Sequence, residues 1–131
     1  MAVRDLAALL AGMEPVLAGE IYGFACVHGA VPAAVMSFAV VAEVEGLTVV
    51  APEAQLQAAG LAFQGGRARI SLTVVSDLAA VGLTAAIATA LTLRGISANV
   101  IAGYHHDHVF VQATRAEEAL AVMRGLGSSP G

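Results

Sequence analysis

Three of the four histidines in this 131-residue chain fall in one short stretch, AGYHHDHVFV, which runs from Ala102 to Val111 and includes Asp107. Imidazoles and a carboxylate at this density are the material of a metal site or a general base. Coordination requires side chains that converge on one centre at about 2 Å. On a strand, His106 and His108 share a face, whereas a turn between them breaks that alignment. Gly103 and the polar run before HVFV fit a hairpin connection, where Asp107 favours the turn and the histidines point into solvent or line an interface. Three readings stand at this point: a metal-dependent enzyme centred on His105, His106, Asp107 and His108, a ligand-lining or interface role, and a plain turn.

Two further pairs have a spacing that chemistry uses. Cys26 and His28 are i, i+2 on a strand-like run, which puts a thiol and a base on one face. No oxyanion motif or third group accompanies them, so core packing is the simpler account. Glu43 and Glu45 share a strand face, as paired carboxylates for acid/base work do, but with no nucleophile nearby they read as a solvated face. The sequence holds no phosphate-cradling glycine loop, cysteine pair or nucleophile elbow. That pattern favours a binding module over an enzyme and calls for no cofactor.

Composition narrows the partners. The net charge is −4, and the six basic residues are all arginines (Arg4, Arg67, Arg69, Arg94, Arg115 and Arg124), scattered singly without an aromatic platform. Nucleic acid is therefore not an expected partner. The single cysteine rules out an internal disulfide and fits a reducing compartment, so the chain reads as cytoplasmic. The run Ile21 to Ala42 carries no formal charge and is long enough to span a bilayer. It is broken by His28, Gly29 and Pro32, is flanked by Glu20 and Glu43, and lacks an orienting basic cluster, so no membrane span is expected.

The elements that hold these residues follow from periodicity. Asp5 to Met13 has leucines at helical spacing, and Pro15 and Gly19 read as a turn after it. EIYGFACVH suggests a strand, and SFAVVAEVEG and LTVVAP suggest two antiparallel strands joined at Glu45-Gly46. A helix over PEAQLQAAGL stops at Gly60, and RARISLTVV is a strand that runs from an exposed edge into the core. Ser76 or Asp77 can cap a long buried helix, LAAVGLTAAIATALTLR, which Arg94 and Gly95 terminate. ISANVIA and HVFVQA are strands joined through GYHHD, and RAEEALAVMRGL is a last helix. TVVAPEAQLQAAGL and FVQATRAEEALAVMRGL share the plan of strand, turn, acidic helix start and terminal Gly-Leu, which points to two related halves, residues 1–64 and 65–131. The second half is a βαββα series. Completed by one more strand, it gives an α+β ferredoxin-like βαββαβ fold, an antiparallel sheet with helices on one face.

Read in order, SDLAAVGLTAAIATALTLRGISANVIAGYHHDHVFV, together with EVEGLT in the first half, resembles the ACT-domain family, specifically small proteins built from two ACT-like halves. The resemblance spans nearly the whole chain and is strongest from Arg69 to Leu126. It implies a regulatory or sensor protein that binds a small-molecule effector, an amino acid above all, where two ACT domains pair, and it implies a homodimer. The second half also resembles aspartokinase regulatory domains. That likeness puts the effector against the loop after the first strand, the helix start and the second strand, here Asp77, Ala80, Leu83, Thr84, Ala98, Asn99, Tyr104 and His105. Asp77 suits an ammonium group, and the N–H groups around Leu83 suit a carboxylate. Gly82 allows close approach, and Asn99 offers both a donor and an acceptor. Ala80, Ala98 and His105 depart from the family's polar and acidic residues, so effector identity does not carry over. A ligand-free interaction or assembly module is the alternative of a different class.

Overall fold

The structure is a computed structural model that describes residues 6–73 and 82–128. In chain order it contains α1 (Leu6–Gly12), β1 (Pro15–Val27), β2 (Ala39–Glu43), β3 (Gly46–Pro52), α2 (Glu53–Ala58), β4 (Gln64–Leu72), α3 (Leu83–Thr92), β5 (Asn99–Ala102), β6 (Asp107–Gln112), a 3-10 turn (Ala113–Arg115) and α4 (Ala116–Ser128). The architecture is α+β and ferredoxin-like. Two compact units make it up, and they do not follow chain order: Gly19–Arg67 forms an inserted unit, and the described residues on either side form an outer unit.

In the outer unit, β4, α3, β5, β6 and α4 supply a βαββα series, and the first residues of β1 supply the remaining strand beside β4. The Thr73 N–H and hydroxyl both donate to the Glu14 carbonyl, at 3.3 and 3.1 Å. Strand alternation decides what each side chain meets. Ala68, Ile70 and Leu72 of β4 and Val109 and Val111 of β6 enter the core, where they meet Leu83, Ile87 and Leu91 of α3 and Ala119, Leu120 and Met123 of α4. Leu9 of α1 and Met13 just after it fill the same core. Burying each of the larger side chains, Val, Leu, Ile or Met, is worth about 1.5–3 kcal/mol. The helices thus share one face. Arg69, Ser71, His108 and Phe110 alternate onto the other, and the antiparallel register Asn99↔Phe110 and Ile101↔His108 puts Asn99 and Ile101 there too.

In the inserted unit, β2 and β1 flank β3, both antiparallel to it. Ala25, Val27, Val49, Ala51 and Leu56 form its core. Between β1 and β2 there is no helix, and Val35, with Val31 beside it, fills the space from the loop instead. Phe38 N–H donates to the Val50 carbonyl and Met36 N–H to the Gln55 side chain, both at 2.7 Å, which fixes that loop.

Several expectations are corrected. Pro15 opens β1 rather than making a turn, because a residue without an N–H is tolerated at the first position of a strand. Asp107 does not sit in the turn. It belongs to β6 and is buried, and the turn is closed by Gly103 N–H donating to the His106 carbonyl at 2.9 Å. The last helix, expected over residues 115–126, continues to Ser128. The described part of the long helix begins at Leu83, after Gly82 in a left-handed conformation at φ 101°, and Ser76 and Asp77 lie outside the described residues. The uncharged run from Ile21 to Ala42 is strand, loop and strand, and among the described residues no helix is long and apolar enough to cross a membrane.

Candidate functional site

The residues expected around the effector fall into three groups. Gly82 and Leu83 mark the start of α3. A Cβ on Gly82 would lie 3.1 Å from Leu6, so the approach of α1 and the backbone conformation both account for the glycine. Leu83 is a core residue, so it can offer a ligand only its backbone, whereas Thr84 is exposed. Asn99 is exposed at the start of β5, the last strand in the sheet order, with its side chain on the face opposite the one Leu83 packs against. Tyr104 is 80% exposed and meets His105 edge to face, with ring centroids 5.0 Å apart. Asp77 and Ala80 lie outside the described residues.

The histidine cluster does not converge. Alternation turns Asp107 toward the core face and His108 away from it, and His106 stays in the turn with its Nδ1 buried and lacking a hydrogen-bond partner among the described residues. Among the described residues, no three His, Cys, Asp or Glu side chains are placed to hold a metal ion.

His108 instead joins residues that sequence reading did not single out. Its Nδ1 lies 2.7 Å from the Ser71 hydroxyl, which also accepts from the Arg69 guanidinium at 2.5 Å. The three are partly buried on neighbouring strands, β4 and β6. The His108 pKa is lowered, first by burial, then by the positive charge of Arg69 and by His106, with Asp107 opposing. A hydroxyl–imidazole pair at this distance resembles a nucleophile and its base. Here the Arg69 donor already occupies one of the two lone pairs on that oxygen.

The inserted unit holds a cavity of about 540 Å³ lined by Phe24, Ala25, Cys26, Thr48, Ala62, Phe63 and Gln64. Its volume is in the range of small-molecule pockets, and its lining is mostly apolar. Cys26 and Thr48 are opposite each other in the β1–β3 register. A Cβ on Gly46 would meet the Cys26 sulfur at 3.0 Å and the His28 Nδ1 at 3.1 Å, so the two do share a strand face. The Thr48 hydroxyl donates to Glu43, which gives that carboxylate a structural partner.

Comparison with known proteins agrees with this architecture. An ACT domain is recognised over residues 1–66 and a second over residues 66–125. The chain belongs to the ACT-domain family, whose modules are regulatory and bind small molecules. Among solved structures it is similar to a Vibrio cholerae protein of unknown function described as a possible transport protein, with 45% identity over 93% of this chain and 95% of that one and a TM-score of 0.84. An Agrobacterium tumefaciens protein matches at 16% identity over 88% of this chain and 89% of that one, with a TM-score of 0.75. The ligand-free regulatory subunit of aspartate kinase from Thermus thermophilus matches at 13% identity, 88% and 97% coverage and a TM-score of 0.67. The last two share the fold. No curated protein matches the chain.

Proposed function

We propose that this protein is a cytoplasmic sensor of a free amino acid, bound where ACT domains pair in a homodimer, and that it acts by binding rather than by catalysis. The effector's contacts are the backbone N–H groups of Leu83 and Thr84 in one domain and, across the pairing, Asn99 on the edge strand with Tyr104 and His105 on the hairpin of the other. Gly82 gives the helix start its left-handed backbone, and Asp77 receives the ammonium group. The observation that carries this reading is Tyr104, a large aromatic side chain left 80% exposed on the hairpin beside an edge strand. Aromatic surface of this kind is enriched where partners or ligands bind. A panel of free amino acids in a thermal-shift assay tests it: one member should raise the melting temperature, with stabilisation of about 2.7 kcal/mol at a hundredfold excess over Kd. Tyr104→Ala should weaken that response, and a panel without any response rejects the reading.

A second reading, an assembly module without a ligand, draws on the β2 hairpin, where Val40, Val41 and the fully exposed Val44 present apolar surface on an edge strand. Sedimentation should then show a concentration-dependent oligomer that metabolites do not alter. A strict monomer at all concentrations rejects it.

A further inference from the structure

We infer that the cavity of the inserted unit binds an organic cation, an amine carried on an apolar or aromatic body, with Phe24 and Phe63 against the body and Glu43 at the ammonium group. The residues of the proposed amino acid surface all belong to the outer unit, and neither reading depends on the other.

Strand register builds the pocket. Cys26 is opposite Thr48 across β1 and β3, and Thr48 is opposite Val41 across β3 and β2. Alternation therefore brings Phe24, Cys26, Thr48 and Glu43 to one sheet face, while Ala25, Val27, Val49 and Ala51 fill the core on the other. Phe63 and Gln64 line the cavity from the entry to β4. Two glycines seat the Phe63 ring: a Cβ on Gly23 would lie 2.7 Å from it, and one on Gly65 would lie 2.8 Å from it. The ring thus rests on bare backbone of β1 and of β4. A wall fixed in this way needs little ordering when a ligand arrives.

Charge selects the occupant. No Asp, Glu, Lys, Arg or His lines the cavity of about 540 Å³, so its interior suits an apolar body. Just outside the lining, the Thr48 hydroxyl donates to Glu43 Oε1 and uses one of the roughly four acceptor sites of a carboxylate. Glu53 stands beside Phe63: its Oε2 accepts from Gly66 N–H at 2.9 Å and crowds the same Cβ position on Gly65. Across Gly19–Arg67, Glu20, Glu43, Glu45 and Glu53 are set against Arg67 as the single basic side chain. Acidic surroundings draw a cation to an apolar hollow and repel a carboxylate or phosphate. A cation close to an aromatic face gains further from the ring quadrupole. An amine without a carboxylate therefore suits this pocket better than a free amino acid does.

Cys26 makes occupancy measurable, because it is exposed, lines the cavity and is the only cysteine in the chain. The test follows its alkylation by iodoacetamide in the full chain near neutral pH, relative to alkylation of glutathione in the same mixture. Four probes share one phenyl body: 2-phenylethylamine, 2-phenylethanol, 3-phenylpropionate and phenylalanine. The amine should slow alkylation saturably and at the lowest concentration of the four. The alcohol should follow, the carboxylate should protect least, and phenylalanine should be weaker than the amine. Glu43→Gln keeps an acceptor for Thr48, so it should fold, and it should weaken amine binding about two- to fivefold, to the level of the alcohol. Ala62→Trp, at an exposed position of the lining, should fill the cavity and abolish protection. The inference is overturned if no probe protects Cys26, if the alcohol or the carboxylate protects as well as the amine, or if either folded variant behaves like the parent.

Discussion

His108 shows how one side chain acquires its properties from neighbours far away in sequence. Burial and the charges of Arg69 and His106 favour its neutral form. The unfolded chain, with its ordinary value of about 6.5, therefore binds a proton at a pH where the folded chain does not. Stability should decline as pH falls through about 6.5, and the loss should be complete below the folded pKa. Denaturant titrations between about pH 7.5 and 5 should show a flatter stability curve for His108→Gln than for the parent, and equal slopes would rule this account out. None of this was legible in the sequence. The stretch AGYHHDHVFV draws attention to the histidines as a group, whereas Ser71 lies 37 positions from His108 and meets it only because β4 and β6 are neighbours in the sheet. Strand alternation, once the turn is placed at Gly103–His106, separates His108 from Asp107 and makes it the partner of a serine.

At the level of the element, termini were the most legible feature where a glycine serves the backbone. Gly60 and Gly95 both adopt positive φ, 72° and 70°. After each, an apolar residue bonds back by the same pattern: Leu61 N–H to the Leu56 carbonyl and Ile96 N–H to the Leu91 carbonyl, both at 3.0 Å. Arg115 adds a donor to the Arg94 carbonyl at 2.7 Å while pairing with Glu118 at 2.8 Å, which ties the end of α3 to the start of α4. Gly125 looks the same in sequence but lies within α4, since a glycine ends a helix only where the following residues can complete that bonding pattern. The contrast gives a paired prediction. No atom lies within 4 Å of a Cβ added at either Gly95 or Gly125, so packing is silent at both. Gly95→Ala should cost about 1–2 kcal/mol for the left-handed backbone. Gly125→Ala should stabilise by up to about 1 kcal/mol, and chemical denaturation of the two variants measures both signs.

For the whole molecule, patterning revealed the ferredoxin-like series in the second half but not which strand completes it. That strand comes from the beginning of the chain, and periodicity carries no information about which distant segment fills an edge. Leu9 is fully buried and Met13 is 5% exposed in a core otherwise built from residues 68 onward, with Leu17 packed against it. A fragment spanning residues 68–131 should therefore fail to melt cooperatively in calorimetry. Adding a peptide of residues 1–18 should restore a transition, and a fragment that melts cooperatively alone would refute the assignment.

The threading of the outer unit also sets an order of events during synthesis. Helix α1 is made before the rest of the outer unit but packs against α4, the last of that unit's described elements to be made. Gly19–Arg67 has all of its own core residues available long before that. On a translating ribosome the inserted unit can form while α1 is still waiting with Leu9 exposed, and closing the outer core requires a loop nearly as long as the chain. The nascent protein thus passes through an interval in which one half is complete and the other offers unsatisfied apolar surface, the period when it is most exposed to chaperones and to misassociation.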